Sequence, residues 1–113
     1  MTAIVVLYLG LGVLMTFLGL PLWRALVPPN RWYGLRLPAT MGSPSVWYAA
    51  NARFGRMLAI NGIAIIAAAG IALAAGWTGI STVIVLAAVV LAGVAGASIA
   101  GILVARSAAA RAP

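Results

Sequence analysis

Polar positions are scarce along this chain, and where they fall divides it into three apolar runs. Residues 3–26 form the first, broken only by Tyr8, Thr16, several glycines and Pro21 before Arg24. Residues 57–75 form the second, with Asn61 as a polar interruption, and residues 80–105 form a third that is slightly overlong. A helix rises 1.5 Å per residue and the hydrocarbon core of a bilayer is about 30 Å thick, so about 20 apolar residues cross it. The pattern predicts an all-α membrane protein with three transmembrane helices. Between the first and second it places a basic, aromatic interfacial loop and a short amphipathic helix, together spanning residues 27–56.

The connections carry the local detail. Gly76-Trp77-Thr78-Gly79 is a turn signal with an interfacial aromatic. Pro28-Pro29 is expected to end the first helix, because proline donates no backbone hydrogen and disfavours the α region for its predecessor. Residues 30–41 then read as an ordered loop. Ser43-Pro44 looks like an N-cap followed by proline at the first helical position, starting a helix that runs through Trp47 and Arg56 towards the second span. At 100° per residue Trp47, Phe54, Leu58 and Asn61 fall within about 60° of one another, with Ser45, Ala49, Arg53 and Arg56 on the other side. Asn51 lies near the edge of the apolar stripe, where an unpaired amide is costly, so it is expected to bond to the loop.

Composition agrees with the pattern and adds a charge rule. The 113 residues are 65% hydrophobic and 6% charged, and form a single membrane domain. All seven charged side chains are arginine, with no lysine, aspartate, glutamate or histidine. Arg24, Arg31, Arg36, Arg53 and Arg56 lie in or beside the first connection, and Arg106 and Arg111 lie in a basic tail, residues 106–113. The positive-inside rule makes both regions cytoplasmic, with the N-terminus outside and the C-terminus inside. A signal peptide is disfavoured by the missing positive n-region and the length of the first run. Arginines that flank hydrophobic spans point to anionic lipid headgroups, not to nucleic acid.

The same inventory bears on chemistry. Without Asp, Glu, His, Cys or Lys the chain lacks nearly all side chains that serve as general bases, covalent nucleophiles or metal ligands, so no catalytic residue, metal site or cofactor is expected. A proton-coupled transporter normally needs an intramembrane carboxylate or histidine. The candidate residues for binding a partner or an anion are therefore Arg31, Trp32, Arg36, Trp47, Asn51, Arg53 and Arg56. Topological anchoring and an aromatic belt are the competing readings for the arginines and aromatics. Arg36, in the apolar setting Gly34-Leu35-Arg36-Leu37-Pro38, must direct its five donors to backbone carbonyls, the Asn51 amide, lipid phosphate or a partner's acidic group. Gly93, Ala97 and Gly101 repeat every four positions, which permits close helix packing.

Residues 30–56, NRWYGLRLPATMGSPSVWYAANARFGR, resemble the signature of the SdpI/YfhL family of small bacterial membrane proteins. The matching positions are Gly34, Arg36, Pro38, Thr40, Trp47, Asn51, Arg53 and Gly55. The best-known member gives immunity to a secreted toxic peptide and draws a transcriptional repressor to the membrane. The resemblance therefore implies a protein of the bacterial cytoplasmic membrane that binds a toxin peptide, lipid or regulator through residues 30–56. The alternative is a small accessory or structural subunit of a larger bacterial membrane complex, packed through Gly-rich helix faces such as Gly93 and Gly101 and donating arginines to its partner's acids; a homo-oligomer is left open.

Overall fold

The computed structural model describes residues 1–111, in which four helices follow one another: α1 (Thr2–Trp23), α2 (Pro38–Met41), α3 (Pro44–Ala75) and α4 (Ile80–Arg111). Of these, α1, α3 and α4 are long and apolar enough to cross a membrane, which makes the chain an all-α membrane protein with three transmembrane helices. Residues 112–113 of the expected basic tail lie outside the described residues.

Glycine sets how α1 meets α3. The buried residues Val5, Gly12 and Gly19 of α1, and Gly55, Gly62 and Ala69 of α3, each recur every seven positions. That spacing keeps one face turned to an antiparallel neighbour, and small residues let the backbones approach where lipid supplies no hydrophobic drive between helices. A Cβ on Gly19 would stand 2.5 Å from the Gly55 carbonyl oxygen, and one on Gly55 the same distance from Leu22 Cβ. Towards the other end, a Cβ on Gly12 would come within 2.7 Å of the Gly62 carbonyl oxygen. Val5 then packs with Ala69, Ala72 and Leu86, joining all three spans.

α4 covers a second face of α3. Gly93 admits the Asn61 amide, whose Nδ2 is buried with no hydrogen-bond partner among the described residues. Ala97 is fully buried, and a Cβ on Gly101 would meet Leu35 at 2.7 Å and Phe54 at 3.2 Å. The small residues at 93, 97 and 101, read from the sequence as a surface for another subunit, are thus consumed by packing within the chain.

The first helix ends earlier than residue 26. Ala25 adopts φ 57, the amide of Leu26 donates to the Pro21 carbonyl and that of Ala25 to the Leu22 carbonyl. This is the bonding of a Schellman stop, usually built on glycine, as at Gly76 (φ 74) where α3 ends. Pro28-Pro29 come after the stop and fix the chain that leaves it. The early turn brings the Val27 carbonyl over α3, where the indole of Trp47 donates to it at 2.9 Å.

α3 and α4 each have 32 residues, about 48 Å. The amphipathic segment and the second span are one unbroken helix. Because α1 stops beside Gly55, residues 44–54 of α3 reach about 16 Å beyond it. There they are clothed by residues 24–43 and by the end of α4. Val46, Ala50 and Ala105 form a core with Leu35, Leu37 and Ala39 packed on it. One face of the end of the third apolar run, at Gly101 and Ala105, thus lies against protein, while Leu103 stays exposed.

Candidate functional site

The loop that carries the arginines is built on a polar brace. Asn51 is 1% exposed, and its Oδ1 accepts the Leu35 amide at 2.6 Å while its Nδ2 donates to the carbonyls of Trp47 at 3.0 Å and Leu35 at 3.3 Å. The expected bond between Asn51 and the loop is present. Thr40, fully buried, closes the other side: its hydroxyl accepts the Leu37 amide at 2.8 Å and donates to the Leu35 carbonyl at 2.9 Å. One peptide segment at Leu35 is thereby held from two directions. Every buried polar atom of this brace has a partner, the condition under which a buried network stabilises.

The neighbouring residues fit that grip. Gly34 has φ 110, and a Cβ there would stand 2.9 Å from Asn51 Oδ1 and 3.1 Å from the Trp47 ring. Pro38 begins α2, where its missing N–H costs nothing. Upstream, Asn30 Oδ1 accepts the amides of Trp32 and Tyr33 at 2.9 and 2.8 Å and its Nδ2 donates to the Pro28 carbonyl. The Tyr33 hydroxyl donates to the Leu18 carbonyl of α1, so the loop folds back along that helix. Burial there pushes the Tyr33 phenol up from its ordinary value. Ser43 precedes Pro44 with the extended backbone of an N-cap, but its hydroxyl pairs with that of Ser45 instead of capping α3.

The seven candidate residues do not form one site. Trp47 and Asn51 are buried and act as scaffold. Arg31, Trp32 and Arg36 are exposed on the loop, Trp32 by 84%. The Arg36 guanidinium donates to the Arg31 carbonyl, which draws the two arginines together. Arg53 and Arg56 are exposed on the face of α3 turned away from Trp47 and Asn51. They border a groove of about 260 Å³ lined by Trp23, Ala49, Ala52 and Val104, with the Arg56 guanidinium 5.8 Å from the centre of the Trp23 ring. That distance is within cation–π reach. Trp23 was missed by the sequence reading, although an aromatic beside Arg24 at the end of a span is itself an interfacial signal.

A larger cavity of about 370 Å³ lies at the opposite end of the bundle, between Trp77 and the start of α4. Its lining is apolar apart from Ser81 and Thr82 and carries no charge. The charged side chains are all at the other end. The arrangement there offers guanidinium donors on two surfaces and no carboxylate side chain to neutralise them. It can hold an anion or an acidic surface.

A family model described as the SdpI/YfhL protein family matches residues 26–100. The match begins just after α1 and takes in the loop, α2, α3 and most of α4. No curated protein and no solved structure matches the chain.

Proposed function

The chain belongs to the SdpI/YfhL protein family, and from that membership we propose that it is a non-enzymatic immunity and signalling protein of the bacterial cytoplasmic membrane. It presents the loop face of Arg31, Trp32 and Arg36 to a peptide or a regulatory protein bearing acidic groups. The observation that carries this reading is the division of labour among the signature residues. Gly34, Pro38, Thr40, Trp47, Asn51 and Gly55 are spent on holding the loop and the α1–α3 crossing, whereas Arg36 and Arg53 stay exposed. A loop held this firmly around cations that no acidic side chain of its own neutralises is preorganised for an external anionic partner. The absence of Asp, Glu, His, Cys and Lys from the sequence supports binding over catalysis.

The arginine distribution supports a cytoplasmic loop and C-terminus and an external N-terminus. Green fluorescent protein fused at the C-terminus should fluoresce, and alkaline phosphatase inserted at residues 77–79 should be active. Function is tested by expressing the chain in a bacterium without its own immunity protein and challenging it with the secreted toxin peptide. Wild type should protect, and the triple variant Arg31→Gln, Trp32→Ala, Arg36→Gln should lose about tenfold or more of that protection while inserting at the wild-type level. Equal protection by the two proteins would refute the loop as the binding face.

A further inference from the structure

The groove between Trp23 and Val104 lies on the opposite face of α3 from the loop brace, and its residues are arranged along the membrane normal in a particular order. Arg53 and Arg56, one turn apart, stand at the level where α1 ends at Trp23. Below them on the same face come Ile60 and Ile63, four and seven residues after Arg56, exposed by 52% and 56%. Guanidinium donors at the interface therefore give way, within two turns, to a strip of branched aliphatic surface inside the span. Ala49 and Ala52 keep the floor between the arginines and Val104 low. The Trp23 ring holds the Arg56 guanidinium at one wall.

We propose that this groove is a binding site for an anionic glycerophospholipid. The phosphodiester is held by Arg53 and Arg56, and one acyl chain lies over Ile60 and Ile63. Charge complementarity selects the occupant: no carboxylate side chain in the sequence can pair with the two guanidiniums, which leaves them open to an external phosphate. Guanidinium is suited to the task because it is weakly hydrated and bonds phosphate oxygens through a planar fork. The aliphatic strip beneath them distinguishes a lipid from a free phosphate, which would gain nothing from it. The site is separate from the loop face and holds whether or not the immunity reading does.

The test is native mass spectrometry of the full chain in mild detergent, titrated with phosphatidylglycerol and, separately, phosphatidylcholine. Arg53→Gln/Arg56→Gln is compared with wild type and with the loop variant Arg31→Gln/Arg36→Gln. All four positions are exposed, and circular dichroism checks that each variant keeps its helices. Wild type and the loop variant should bind one phosphatidylglycerol in preference to phosphatidylcholine, and Arg53→Gln/Arg56→Gln should weaken that binding about tenfold or more. Phosphatidylglycerol carrying a photoreactive acyl chain should label the peptide containing Ile60 and Ile63. Equal binding of the two lipids, equal loss in both double variants, or full displacement by glycerol phosphate would each overturn the proposal. The last outcome would identify a free-phosphate site.

Discussion

Asn51, on the first turns of α3, holds the backbone of Leu35 with both ends of its amide, accepting from its N–H and donating to its carbonyl. The contact joins residues 16 apart in sequence and fixes the middle of the arginine loop to a transmembrane helix.

Replacing Asn51 by alanine leaves the Leu35 amide without its acceptor and Thr40 as the remaining side-chain partner of the Leu35 carbonyl. A lost partner of this kind costs about 1–3 kcal/mol. The loop should loosen while the spans persist, and the cut sites are already in place, since trypsin cleaves after Arg31 and Arg36. Limited proteolysis in detergent should cut Asn51→Ala at these positions much faster than wild type, with unchanged helical circular dichroism. Identical cleavage rates would show that the brace does not order the loop.

Ala25 occupies the left-handed region at φ 57, which costs a residue with a Cβ about 1–2 kcal/mol relative to glycine. Ala25→Gly should raise the thermal unfolding midpoint in detergent, and Ala25→Val should lower it by more. A fall on substitution by glycine would mean that α1 does not stop in this way.

Gly93 and Asn61 occupy one volume between them. Gly93→Ala places a methyl group on the Asn61 amide and should destabilise by about 1–3 kcal/mol, the usual cost of overpacking. Asn61→Ala alone should be close to neutral, because the buried Nδ2 has no partner to lose. Combined, the two changes should recover most of the loss. Unfolding in a denaturing detergent, analysed as a double-mutant cycle, gives the coupling. Strict additivity would place Asn61 elsewhere than against Gly93.

The spans and the bond from Asn51 were legible because each follows from periodicity or from the cost of burying an amide. The heptads of Val5, Gly12 and Gly19 against Gly55, Gly62 and Ala69 were equally present in the sequence, hidden by the general abundance of glycine and alanine. The end of α1 was not legible: Ala25 has no propensity for a left-handed turn, and it is the pull of Trp47 on Val27 that accompanies it. The spacing of Gly93, Ala97 and Gly101 announces a close neighbour without saying which, and α3 proves to be that neighbour. The separation of Arg53 and Arg56 from Trp47 was legible in the 100° periodicity. A helix has two sides, and α3 sends Arg53 and Arg56 to the one that the loop does not cover.

The unbroken course of α3 has a mechanical consequence. Asn51 and the turn at Gly76 belong to one rod, so twisting the helix about its axis by about 40° would sweep the Asn51 amide sideways by about 4 Å, beyond hydrogen-bond range of Leu35. The bond that holds the arginine loop at Leu35 and the turn at Gly76 are therefore carried near the two ends of one and the same helix.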